Sequence, residues 1–152
     1  MKLGLMTRDE CIDFVEFNIT GDGENYNKCD PESLFLNMNL FNIFACCFER
    51  SNHLFEIPGQ NMYNVRKIVP LQNELLDNLT VLGQIRDIEQ FKEYVTSIFL
   101  GKNLLNELKR QDSCWEMRWG AYLRKLIQIN KQIIRLTDSC VEQERVLWVI
   151  GY

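Results

Sequence analysis

Histidine is almost absent from this chain of 152 residues; His53 stands alone. A serine or cysteine nucleophile that relies on an imidazole base has only that residue to use. Its context, Ser51-Asn52-His53-Leu54-Phe55, fits no catalytic pattern. No glycine-rich phosphate loop is present. No Cys-x-x-Cys occurs among the six cysteines, and Cys46 and Cys47 are adjacent. On a helix such neighbours point about 100° apart, whereas zinc needs paired ligands at short spacing. No apolar run approaches the roughly 20 residues of a membrane span, and the start lacks one long enough for a signal peptide. These absences predict no catalytic residue, no metal, no cofactor and no enzymatic activity. They also predict a cytoplasmic protein with reduced thiols.

Proline is scarce too. Pro31, Pro58 and Pro70 are the only three, and each falls near a proposed element boundary. The composition is 46% hydrophobic and 25% charged, which suits one globular domain over residues 1–152. Thr7 and Glu10 have capping-box spacing, predicting a short first helix with Ile12, Phe14, Val15 and Phe17. Asp30-Pro31-Glu32 reads as a helix start, predicting a second helix over Leu34 to Phe48. A third is expected from Asn61, kinked or restarted at Pro70 and continuing to about Leu82. A fourth runs from Asp87 to Arg110, with Gly101 as a candidate break. Ser113 and Glu116 cap a fifth over Asp112 to Leu136. Its residues Trp115, Trp119, Tyr122, Leu126, Ile129, Ile133 and Leu136 alternate steps of four and three, a core stripe. The apolar run Val146 to Ile150 could form a strand, but capping signals near Asp138 and Ser139 favour helix. The expected fold is therefore all-α, a single-domain bundle of about six helices.

Charge is unevenly distributed. Residues 1–33 hold eight acids, Asp9, Glu10, Asp13, Glu16, Asp22, Glu24, Asp30 and Glu32, against three bases. Residues 101–135 hold eight bases, Lys102, Lys109, Arg110, Arg118, Arg124, Lys125, Lys131 and Arg135, against three acids. The bland reading is two solvated faces that attract each other within the fold. The sharper one makes the eight acids a partner-binding surface that offers carboxylates to lysines and arginines.

The segment Asn18 to Glu32 carries much of that acidity. Asn18, Thr20, Asp22 and Gly23 imitate the first half of an EF-hand loop, but the twelfth position is Cys29 instead of a glutamate. Asn18-Ile19-Thr20 and Asn78-Leu79-Thr80 are formal glycosylation sequons that matter only in a secreted protein. An exposed acidic loop is the preferred reading, ahead of calcium and glycan.

The leading expectation is a small binding protein that masks a basic surface on a protein partner. Its most concrete version is an immunity protein or antitoxin, a toxin inhibitor covering the active site of a cationic nuclease. The alternative is a helical-groove adaptor that binds a partner's amphipathic helix. Trp119-Gly120 resembles the Trp-Gly element of Bcl-2-like proteins over two residues, with Ala121 where an arginine follows there. A net charge of -4 opposes nucleic-acid binding through the basic helix; neither nucleic acid nor membrane is an expected partner.

Overall fold

Phe14-Val15-Glu16-Phe17-Asn18 is rich in residues that suit a pleated, buried surface, and in the computed structural model it is a strand. The structure describes residues 3–7 and 13–152. Four antiparallel strands form one sheet: β1 (Phe14–Asn18), β2 (Leu34–Asn37), β3 (Gln60–Tyr63) and β4 (Leu147–Gly151), in the order β2-β1-β4-β3. Backbone pairing of Met6 with Phe35 extends the β2 edge. Six helices complete the described fold: α1 (Met38–Phe41), α2 (Ala45–Ser51), α3 (Val65–Gln84), α4 (Ile88–Ser97), α5 (Gly101–Gln111) and α6 (Trp119–Glu142).

The all-α expectation is thus corrected to a mixed α/β fold, because four segments expected to be helical are wholly or partly strands; the third expected helix opens as β3, so Asn61 to Tyr63 is strand and the helix begins only at Val65. Around β1, the capping box at Thr7 and Glu10 lies partly outside the described residues, while Phe14 to Asn18 pairs with β2 and β4. At β2, Asp30-Pro31-Glu32-Ser33 closes a turn. Ser33 N–H donates to Asp30 O at 3.0 Å, and Asp30 Oδ1 accepts from Glu32 N–H at 2.8 Å. An acid followed by proline suits positions i and i+1 of a turn as well as a helix start, so the signal is genuine and its product different. The helix start lies further on, where Asn37 Oδ1 accepts from Asn39 N–H at 3.0 Å.

The C-terminal run is strand as well, not the last helix expected. Helix α6 ends in a Schellman motif: Arg145 N–H donates to Cys140 O at 2.8 Å and Glu144 N–H to Val141 O at 3.3 Å. Glu144 takes the left-handed conformation, φ 54°, that glycine usually fills. Leu147 to Gly151 then enters the sheet between β1 and β3.

The core lies between the sheet and the helices. Register places Val15 opposite Leu36, Phe17 opposite Val149 and Tyr63 opposite Leu147; all six are fully buried. Phe17 meets Phe41 and Phe48 at ring-centroid distances of 6.1 and 6.0 Å, and Tyr63 Oη donates to Phe48 O at 2.9 Å. Behind them α3 packs along α6. Asn130, fully buried on α6, donates to Leu75 O at 2.8 Å and accepts from Asn78 Nδ2 at 3.0 Å. Tyr94 Oη donates to Asn78 Oδ1 at 2.8 Å, tying α4 into the same network.

Helix α3 runs through Pro70 without a break, and α4 and α5 are separate, meeting at Gly101. The fifth expected helix begins only at Trp119, after a short 3-10 turn, Trp115–Arg118, and the expected Ser113–Glu116 capping box does not form; neither element has a side-chain cap, and Asp112 Oδ1 accepts from Cys114 N–H at 3.0 Å in the turn before them. Most of the predicted α6 stripe is buried, with Trp119 and Tyr122 packed against the core from its margin.

Candidate functional site: an acidic loop clamped to the sheet

Alternation puts Val15 and Phe17 on the helix side of β1 and Glu16 on the other. Cross-strand register aligns Glu16 with Phe35 and Ile150, and the 19–33 loop folds over this face. Glu16 is fully buried. Its Oε1 accepts from Ser33 Oγ at 2.7 Å, Asp30 N–H at 3.2 Å and Asn18 Nδ2 at 3.3 Å. Its Oε2 accepts from Tyr152 Oη at 2.6 Å and Cys29 N–H at 2.9 Å. A buried carboxylate demands such donors, since desolvation without them costs several kcal/mol. Here they gather the far end of the loop and the end of β4 onto one side chain. Burial, followed by the carboxylate that accepts its proton, pushes the Tyr152 phenol up. Lys28 Nζ lies 4.5 Å from the centre of the Tyr152 ring.

The near end of the loop is organised by its own polar groups. Asn18 Oδ1 accepts from the N–H groups of Thr20 and Gly21 at 3.1 and 3.0 Å, and its Nδ2 donates to Asn27 O at 2.9 Å. Asp22 Oδ1 accepts from Glu24 and Asn25 N–H at 2.8 and 2.6 Å. Trp148 Nε1 donates to Asp22 O at 2.9 Å, and its ring packs on Tyr26. The oxygens that imitate half an EF-hand are engaged in holding the loop's own backbone. Gly21 is required for this closure, because a Cβ there would sit 2.7 Å from Asn25 O.

The eight acids expected to form a partner surface therefore divide. Asp9 and Glu10 lie outside the described residues. Glu16 is internal, a hub for the loop and no part of an exposed surface. Asp13, Asp22, Glu24 and Glu32 are exposed and Asp30 is half-buried. Hydrogen bonds from the backbone N–H of Glu24 and Asn25 lower the Asp22 carboxyl, and that of Glu32 is the main cause lowering Asp30. Both groups thus hold their charge while shaping the loop.

Among the described residues, none of these five acids forms an ion pair with the basic helices. The bases there pair locally: Arg110 with Glu107 at 2.7 Å and Arg118 with Asp112 at 3.4 Å, while Lys92 of α4 takes Glu116 at 2.9 Å. The described residues hold no group of three or more histidines, cysteines, aspartates or glutamates placed to bind a metal, and no helix long and apolar enough to cross a membrane.

The sequence does not signal Ser33, Tyr152 or the role of Glu16. Its one clue is the acid's place inside Phe-Val-Glu-Phe, a run whose neighbours on both sides are buried strand formers. Compared with known proteins, the chain matches no family model, and no curated protein and no solved structure matches it significantly.

Proposed function

We propose that this protein is a non-catalytic binding protein that captures a basic surface of a partner protein through the carboxylates of its 19–33 loop and the adjoining Asp13. A nuclease toxin with a cationic active-site cleft is the most concrete partner of that kind. The observation that carries this reading is the absence, among the described residues, of ion pairs between the loop acids and the fold's own basic helices. Charges left facing water are available to steer an encounter. The Glu16 hub adds preorganisation, since a loop already ordered loses less entropy on binding than a free one.

The loop's construction decides which residues test the idea. Asp22 and Asp30 hold the backbone, so reversing them would damage the loop along with any interface. Glu24 and Glu32 are exposed and accept no hydrogen bond from the described residues. The paired substitution Glu24→Lys and Glu32→Lys is the clean probe, applied against a panel of cationic nuclease toxin domains with DNA cleavage as readout. A true partner is inhibited by the wild-type protein, associates more slowly as salt rises, and loses roughly tenfold or more in association rate with the double reversal. Inhibition that the reversal leaves unchanged, but that changes at Phe99 and Leu100 abolish, would favour the helical-groove adaptor. No inhibition of any member removes the toxin version.

A further inference from the structure

A second site lies away from the acidic loop, where α2, the 52–59 loop and the α4–α5 joint enclose a cavity of about 340 Å³. That is within the range of small-molecule pockets, roughly 300–1,000 Å³. Phe55, Ile98 and Leu100 supply apolar wall, while Asn42, Cys46 and Arg50 supply polar groups. Asn42 is only 8% exposed. Its carboxamide makes no hydrogen bond with any described residue, and its polar atoms stay open to solvent while the rest of the residue is covered. The unpaired group lines the cavity together with a partly exposed thiol, Cys46.

The surrounding backbone is unusual in the same place. Leu100 has φ 61°, a left-handed conformation that disfavours a branched side chain. Next to it Phe99 is 85% exposed. A left-handed leucine and an exposed phenylalanine therefore sit beside a carboxamide left open to a ligand.

We propose that this cavity is a small-molecule site in which Asn42 pairs with the carbonyl oxygen of an apolar α,β-unsaturated aldehyde or ketone and Cys46 adds to its β-carbon. The walls bury the hydrocarbon body, and the Asn42 Nδ2–H groups are the donors a carbonyl needs. Cys46 first loses its proton to solvent. The thiolate then forms a carbon–sulfur bond at the β-carbon as the C=C π pair moves to the carbonyl oxygen, giving an enolate. Water protonates the α-carbon and the carbonyl is restored; nothing leaves, and the product is a thioether adduct.

The neighbours of Cys46 favour its ionised form. The adjacent Cys47 thiol lowers the Cys46 thiol most, burial opposes that, and the Arg50 charge adds to the lowering while Glu49 works against it. The Cys47 S–H itself donates to Glu74 O at 3.6 Å. Cys47, beside Cys46 and buried, is pushed up and stays a thiol.

The test uses the full chain, trans-2-octenal as the electrophile and iodoacetamide as a small polar control, with peptide mass mapping after reduction by borohydride. Cys114 is exposed and serves as the internal reference. Octenal should modify Cys46 about tenfold or more faster than Cys114, and Asn42→Leu should remove about tenfold of that rate, the equivalent of one hydrogen bond. The same variant should leave the iodoacetamide rate at Cys46 nearly unchanged, and the wild-type rate should rise with pH along a curve centred below the ordinary thiol value of about 8.5. In the wild-type protein, octan-2-one, which has the carbonyl and lacks the alkene, should protect Cys46 from iodoacetamide and leave Cys114 unprotected. Equal octenal rates at the two cysteines, or no protection by the ketone, overturns the proposal. So does an Asn42→Leu variant that slows both reagents alike.

Discussion

Tyr152 Oη donates to Glu16 Oε2 at 2.6 Å across 136 positions of sequence. That bond joins the end of β4 to the centre of β1, and the same carboxylate holds Cys29, Asp30 and Ser33 of the loop. One buried acid therefore fixes both the closure of the sheet and the shape of the candidate interface.

Glu16→Ala should lower the unfolding free energy by about 3 kcal/mol, because it strands several buried donors at once. Tyr152→Phe removes a single donor and should cost about 1 kcal/mol. The double variant should be less damaging than the sum of the two, with a coupling of about 1 kcal/mol. Urea unfolding of the four proteins measures this; strict additivity would mean the two residues do not share an interaction.

The α4–α5 joint should respond in opposite directions at two neighbouring positions. A Cβ on Gly101 would lie 1.9 Å from Val95 O, a backbone atom that cannot step aside. Gly101→Ala should therefore cost about 2 kcal/mol. Leu100→Gly removes the left-handed strain, worth roughly 1 kcal/mol, which offsets the loss of a side chain that is only 46% exposed. It should be neutral or stabilising in thermal unfolding. A loss at Leu100→Gly as large as that at Gly101→Ala would contradict this geometry.

Acid should weaken the fold through identifiable carboxyls. Asp112 is lowered chiefly by the Tyr122 hydroxyl, which donates to it at 2.8 Å, and Asp22 and Asp30 by loop N–H groups. A carboxyl whose folded pKa lies below its unfolded one stabilises fully above the unfolded value, about pH 4, and loses that contribution as pH falls through the folded value. The thermal midpoint should hold from neutral pH to about pH 4 and then fall. Asp112→Asn and Asp22→Asn should each make that fall shallower. An unchanged acid limb in both variants would assign the loss to other groups.

Several features are legible in the amino-acid order alone. Asp87 caps α4 as its position suggests, with Oδ1 accepting from Gln90 N–H at 2.9 Å. The stripe from Leu126 to Leu136 faces the core. Other stretches mislead for definable reasons. Asp30-Pro31 serves a turn as well as a helix, and Glu144 ends α6 without the glycine that would announce it. Of the candidate site, the exposure of Asp22, Glu24 and Glu32 agrees with the turn-rich composition of their loop. Glu16 reads as one more acid in the same group, because burial is a property of what covers a residue.

Local sequence by itself determined the helical face of α6, the cap of α4 and the separation of acidic and basic regions. A helix closes its hydrogen bonds within four residues, so its signals lie side by side in the chain. Only the tertiary structure decided that Phe14–Asn18, Leu34–Asn37, Gln60–Tyr63 and Leu147–Gly151 would be strands, and that Glu16 would be enclosed between the sheet and a loop. A strand finds its hydrogen-bond partners elsewhere in the chain, here as much as 136 positions away, and a short apolar run does not reveal which distant segment will supply them.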